Sequence, residues 1–222
     1  MSNRLADCRL FFQEFRRNFH STGALAPSGQ RLARSLAHYV DHRPENQHAG
    51  DRPKRILEVG PGTGAVTRQI IRRMHPSDRL DLVEINENFV ERLNDRFRND
   101  PEFREVSPRS AVHCTRIENL QSDAPYDVII SGLPLNNFTV DEVETVLSML
   151  RRLTAERATL TFFQYMAIRR VKAVVSGRDE RARLRGIDQV LGDLLRTHEF
   201  RRDWVWSNVP PAWVHHLKFA TV

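Results

Sequence analysis

Arg55-Ile56-Leu57-Glu58-Val59-Gly60-Pro61-Gly62-Thr63-Gly64 decides the fold of this chain. A short apolar run carrying one acid reads as a buried strand. It enters a turn with glycine at alternate positions, and a helical pattern, Ala65-Val66-Thr67-Arg68-Gln69-Ile70-Ile71, follows at once. Strand, glycine turn and helix N-terminus in that order let a nucleotide-like ligand lie against bare backbone. The glycines permit positive φ and remove the Cβ atoms that would block close approach. By themselves they leave the ligand open, because Gly60 to Ala65 also fits the loose G-x-G-x-x-A pattern of dinucleotide sites.

Glu58 narrows the choice. A carboxylate two residues before the first glycine suits a ligand with a cationic amino-acid end and repels a pyrophosphate. A second acid, Glu84, closes the run Leu80-Asp81-Leu82-Val83-Glu84, twenty residues after Gly64. An acid at the tip of the second strand binds ribose hydroxyls in folds of this kind. The pattern E-x-G-x-G-x-G resembles the first motif of class I S-adenosylmethionine (SAM) methyltransferases. The resemblance implies SAM as cofactor and S-adenosylhomocysteine as product. It implies cofactor contacts at Glu58, Gly60, Pro61, Gly62, Thr63, Gly64 and Glu84, joined by Ile85, Ile117, Gly132, Leu133 and Ser28.

Outward from the turn, β and α patterns alternate. Strands are expected near 54–59, 80–84, 110–114, 126–130 and 159–164, with helices near 63–75 and 87–98 and a loop over 101–108. Thr139-Val140-Asp141-Glu142 has the form of a capping box and opens a helix that ends near Leu153. Trp204-Val205-Trp206 and Trp213 to Phe219 read as two last strands, joined as a hairpin across Pro210-Pro211. Upstream, 4–19 and about 30–41 read as helices with a loop at 21–29 between them. The expected fold is α/β: a Rossmann-like doubly wound sheet of seven strands, mostly parallel with an antiparallel terminal strand. One domain covers 1–222, with N-terminal helices over 1–45 and a basic helical insert over 166–197, broken near Ser176-Gly177.

Composition sets further bounds. The chain of 222 residues is 40% hydrophobic and 28% charged, enough for one core. A net charge of +6 and a pI near 10 point to anionic surroundings. Cys8 and Cys114 form no C-x-x-C pair, which argues against a disulfide frame or a thiolate metal site. His38 and His42 have helical spacing but no accompanying acid or thiol pattern, so no metal is expected. No apolar run approaches the ~20 residues that span a bilayer, and the N-terminus lacks the form of a secretory signal. The expected location is cytoplasmic.

The fourth strand runs into Ser131-Gly132-Leu133-Pro134-Leu135-Asn136-Asn137. Methyltransferases that attack a nucleobase amino group commonly carry N-[IL]-P-[YF] or D-P-P-Y here. The polar residue accepts from the target nitrogen and the ring stacks on the flipped base. This chain has Gly132 in place of the acceptor and Leu135 in place of the ring. No nucleic-acid partner is therefore expected, despite the arginine content.

Three further segments carry a family resemblance: Gly23-Ala24-Leu25-Ala26-Pro27-Ser28-Gly29, Ser131-Gly132-Leu133-Pro134-Leu135 and Trp206-Ser207-Asn208-Val209-Pro210-Pro211-Ala212. They resemble the G-A-V-x-P-S-G, S-G-L-P-L and W-x-N-x-P-P-A segments of bacterial soluble-type phospholipid N-methyltransferases, which methylate phosphatidylethanolamine. The related ornithine-lipid N-methyltransferases are equally similar. The resemblance implies methyl transfer to the amino headgroup of a membrane lipid at the inner face of the cell membrane. Two departures stand out. Thr115-Arg116-Ile117 replaces the acid often found after strand three, which leaves Glu118 or backbone to meet the adenine, and Trp213 stands where an Arg is frequent.

Transfer of a methyl to an amine is a direct displacement, so positioning and exclusion of water carry most of the rate. The amine has to be neutral, and burial beside a cation lowers its pKa from roughly 10. Candidate polar groups are Tyr165, Ser131 and Tyr39, with Ser28 nearby. For reaching the lipid, the Phe-rich face of 4–19 with its flanking arginines and the Arg-rich insert both have the composition of interfacial helices on an anionic membrane. Two other readings stay open: an rRNA adenine dimethyltransferase-like protein, and a SAM-binding membrane-surface protein without turnover.

Overall fold

The computed structural model describes residues 27–41, 52–166, 178–208 and 210–219. The helix expected at 4–19 and the break expected at 176–177 lie outside the described residues. The described elements, in chain order, are α1 (Pro27–Leu36), β1 (Arg55–Val59), α2 (Ala65–Ile71), β2 (Arg79–Glu84), α3 (Glu87–Asn99), α4 (Pro101–Val106), β3 (Ser110–Cys114), β4 (Tyr126–Ser131), α5 (Val140–Arg152), β5 (Thr154–Tyr165), α6 (Arg178–His198), β6 (Glu199–Val205) and β7 (Ala212–Lys218).

Seven strands form one sheet in the order β3-β2-β1-β4-β5-β7-β6. The strands from β3 to β5 pair in parallel, and β7 is antiparallel to both β5 and β6. This is the doubly wound sheet with an antiparallel terminal strand that the β/α alternation implies. Period-two alternation sends successive strand residues to opposite faces, so the core has two halves. Ile56, Leu80, Leu82, Val128 and Ile130 face Leu36 of α1, Ile70 of α2, Leu93 of α3 and Phe103 of α4. Leu57, Val83, Ile129, Leu160 and Phe162 face Val143 and Leu150 of α5 and Ile187 and Leu191 of α6. The register aligns the carboxyl ends of the central strands: Val59 lies opposite Val83 and Ser131, and Ser131 opposite Phe162.

Several local expectations need correction. The stretch expected as a loop over 101–108 contains α4. Asp100 accepts from Glu102 N at 3.3 Å and Pro101 opens the helix, a position where its missing N–H costs nothing. Helix α1 starts at Pro27, three residues earlier than expected, for the same reason, so Ser28 lies in its first turn and not in a loop. Strand β5 begins at Thr154 and not at 159. Arg157 takes a positive φ of 62°, and the β4–β5 register shifts there, which hides the strand's first turn from an alternation count. The capping box of Thr139 and Glu142 forms as the sequence implies.

Candidate active site

The glycine turn links β1 to α2, and three contacts fix its shape. Gly60, Gly62 and Gly64 have φ of 73°, 59° and 81°, a region that L side chains seldom occupy. Gly60 N donates to Val83 O at 2.9 Å, Gly62 N to the Glu84 carboxylate at 3.1 Å, and Gly64 N to Pro61 O at 2.9 Å. From the far side, Gly132 N donates to Val59 O at 2.8 Å. A Cβ on Gly132 would stand 2.7 Å from Gly60 O, and one on Gly60 2.9 Å from a Leu133 methyl. The turns after β1 and β4 therefore touch backbone to backbone. A Cβ on Gly64 would stand 2.8 Å from Arg96 Nη1, which itself donates to Thr63 O at 2.6 Å. Arg96, with its guanidinium 4.1 Å from the Phe103 ring centre, is a prop under the turn that no local sequence signal announces.

The two acids differ in surroundings. Glu84 is buried at the tip of β2, and each of its oxygens accepts a backbone N–H, from Gly62 and, at 2.9 Å, from Asn86. Glu58 is 1% exposed, and its carboxylate accepts from the Thr67 hydroxyl at 2.7 Å. Burial pushes the Glu58 carboxyl up to about 8; the Thr67 hydrogen bond opposes this and the Glu84 charge adds to it. The Glu58 carboxyl thus meets Thr67 of α2. Its side chain turns under the turn and ties β1 to the first turns of α2. Thr67, the partner that does this, escaped the sequence reading.

The other expected cofactor positions spread along the carboxyl ends of β2, β3 and β4. Ile85 follows Glu84 and is 53% exposed, a flat apolar surface at the sheet's rim. Ile117 is buried in a short 3-10 turn, Ile117–Asn119, after β3. Glu118 beside it pairs with Arg116 at 2.9 Å; burial raises its carboxyl, but that arginine's hydrogen bond and charge hold it below its ordinary value. Pro61 is buried and Thr63 half-buried. Ser28 lies on α1, which packs on α2 and on β5, β6 and β7.

Of the three candidate catalytic residues, Tyr165 lies at the carboxyl end of the sheet. It ends β5, is buried, and shares a hydrogen bond with the Asn208 side chain, which donates to Pro210 O at 2.8 Å. Burial raises the phenol well above its ordinary value, so the group stays protonated and serves as a hydrogen-bonding group, not as a base. Ser131 is corrected: its hydroxyl is wholly buried and accepts from Leu133 N at 3.4 Å, closing its own turn. Tyr39 lies toward the edge of the sheet. It packs edge-on against His216 at 4.8 Å and Phe200 at 5.1 Å. His216 lies opposite Thr161, four residues before Tyr165, about 13 Å down the strand. Tyr39 therefore packs at the β7–β6 side of the sheet, at the level where Thr161 pairs with Ile130.

The residues present fit a SAM-type ligand: a turn with glycine at three of its five positions, an acid at the second strand's tip, an exposed apolar residue next to it, and a helix N-terminus opening from the turn. Residues 56–157 match the family model described as methyltransferase domain, Methyltransf_25. The seven-stranded sheet around this region has the class I methyltransferase fold. Its cofactor is S-adenosylmethionine. An ornithine lipid N-methyltransferase from Singulisphaera acidiphila is 26% identical over 155 residues, covering 70% of this chain and 76% of that protein. A ribosomal RNA small subunit methyltransferase A from Marinobacter nauticus is 31% identical over 125 residues, 56% of this chain but only 37% of that protein. Among solved structures, the O-methyltransferase TomG from Streptomyces achromogenes in complex with SAM superposes with a TM-score of 0.63 at 16% identity. That match covers 99% of this chain and 91% of TomG, and it shows the shared fold.

Proposed function

We propose that this methyltransferase transfers methyl groups to the amino headgroup of a membrane lipid at an anionic membrane surface, on the cytoplasmic side. The observation that carries the reading is the end of β4. Gly132 has no side chain and lies against Gly60 O, and Leu135 is buried in the core. The two positions that hold the acceptor and the aromatic face in base methyltransferases carry neither here, and an aliphatic amine requires neither. The long match to an ornithine lipid N-methyltransferase supports the same class and puts ornithine lipid ahead of phosphatidylethanolamine.

When bound, SAM supplies an electrophilic methyl on a sulfonium. The chain's part is to hold and to exclude. Backbone of Gly60 to Gly64 would receive the amino-acid end, Glu84 the ribose hydroxyls, and Ile85 and Ile117 the adenine. The incoming amine must shed its proton before its lone pair forms the C–N bond, and a dry site beside a cation promotes that loss. The Tyr165 hydroxyl oxygen is a fitting acceptor for a remaining amine hydrogen.

The test is methyl transfer from labelled SAM, with purified protein, to vesicles holding ornithine lipid or phosphatidylethanolamine, and to structured ribosomal RNA. Label in the aminolipid is the expected result. Label in RNA alone would overturn the reading in favour of a base methyltransferase, and bound SAM with no label in either lipid would leave a protein without lipid turnover.

A further inference from the structure

On its far edge the sheet ends in an exposed aromatic stack. Trp204 is 53% and Trp206 63% exposed, with ring centres 5.3 Å apart and planes 23° from parallel. Trp213, the cross-strand partner of Trp204, closes edge-on at 5.8 Å. Its indole N–H is buried with no hydrogen-bond partner among the described residues. The register sets the level of this stack. Val205 lies opposite Ala212, and Ala212 opposite Tyr165, the last residue of β5. The indoles thus stand at the carboxyl end of the sheet, the end that carries the glycine turn.

Arginines of α6 reach that same end, among Asp179, Glu180 and Asp188. Arg183 of α6 donates to the backbone carbonyls of Phe138 and Asn136, just beyond β4, while its guanidinium pairs with Glu180 at 2.7 Å. Gly186 lets the helix close on Val140, because a Cβ there would meet a Val140 methyl at 2.6 Å. These contacts fix the first turns of α6 beside the site and leave Arg181 and Arg185, four apart on one helix face, exposed there.

Large apolar groups held together in water mark a surface that meets a partner. Indole suits a bilayer's headgroup zone, since its ring is apolar and its N–H polar. We propose that Trp204 and Trp206 on the edge strand β6 insert into the headgroup region of an anionic bilayer, with Arg181 and Arg185 meeting its phosphates. This rests on the lipid-amine reading, and it explains how the catalytic end is turned to its substrate. Single-stranded nucleic acid is the rival occupant, because indoles also stack on bases. The bilayer is favoured because the two rings already cover one face of each other and because Gly132 and Leu135 stand where base methyltransferases carry their acceptor and ring.

All three tryptophans of the sequence lie in this patch, so native fluorescence reports on it alone. The full-length protein is mixed with vesicles of phosphatidylglycerol and phosphatidylcholine, neither of which carries a methylatable amine. The expected result is a blue shift of emission, quenching by lipids brominated high on the acyl chain, and reversal by salt. The variant W204S/W206S is expected to bind SAM as the wild type does in calorimetry, while its vesicle partitioning falls about tenfold. Sedimentation with vesicles without bromine quenching would overturn the proposal by placing docking elsewhere on the chain. Emission changes with single-stranded RNA but not with vesicles would overturn it in favour of base stacking. Quenching by bilayers without any methylated aminolipid in the transfer assay would uphold the docking surface and defeat the substrate reading instead.

Discussion

Replacing Glu58 by Gln keeps the shape of the side chain and an oxygen to accept from Thr67, while removing the ionisable group. In the wild-type fold burial pushes this carboxyl from 4.5 up to about 8, against the Thr67 hydrogen bond and with the help of the Glu84 charge. The sign follows from proton linkage. Between those two values the folded chain holds a proton that the unfolded chain has released, so stability falls as pH rises. The contribution is fully present below about 4.5 and is lost by about 8. Each tenfold change in proton affinity is worth about 1.4 kcal/mol, so on the order of 4 kcal/mol goes across that window. The assay is urea unfolding of the wild type and E58Q at constant ionic strength from pH 5 to pH 8. All other titrating groups are common to both proteins and drop out of the difference. The difference is expected to move steadily in favour of E58Q as pH rises. A flat difference would refute the reasoning, for it would mean that Glu58 is already ionised in the fold and balanced by the nearby Arg96 guanidinium.

Three further outcomes are expected. Gly132→Ala puts a methyl 2.7 Å from Gly60 O, a backbone atom, so the glycine turn must shift; calorimetry is expected to show SAM affinity reduced at least tenfold, with the far-UV circular dichroism unchanged. The buried His216 imidazole is lowered to about 4 by desolvation, against the pull of Asp203. Its contribution is present above about 6.5 and lost as pH falls toward 4, so H216N is expected to flatten the acid limb of the stability curve relative to the wild type. Thr139→Ala removes the capping box of α5 and is expected to cost about 1 kcal/mol in thermal or urea unfolding, with little effect on SAM binding.

What could be read from the sequence was what is local in it. The glycine turn, the acid closing β2, the capping box at Thr139 and the Pro-Pro hairpin are each specified by residues within a few positions of one another, and each appears in the fold. What escaped is contact across the chain. Arg96 supports Thr63 from 33 residues away, through the packing of α3 beneath the turn, and nothing in its own neighbourhood distinguishes it from Arg92 or Arg98. Tyr39, just past α1, has no address in the sequence until that helix is docked, and in the fold it packs against His216 and Phe200. The insert's arginines show the same limit. Arg183 is a fastener between α6 and the turn after β4, while Arg181 and Arg185 stay at the surface, although composition treats all three alike.

Gly132 joins the chemistry of the site to its packing. Read as a sequence, it is the missing acceptor of a base methyltransferase; seen in the fold, it is the residue whose lack of a Cβ lets the turn after β4 rest on the turn after β1. The two facts are linked, because an Asn here would need Gly60 O to retreat from a position held by the Val83 and Val59 hydrogen bonds on either side. The difference from base methyltransferases is therefore built into the approach of two backbones and does not reduce to one side chain. Gly132→Asn is accordingly expected to lose SAM binding, measured by calorimetry, and to gain no methyl transfer to adenine in RNA. If G132N instead bound SAM normally and labelled RNA, the close contact of the two turns would be incidental, and the exclusion of nucleobases drawn from it would fall.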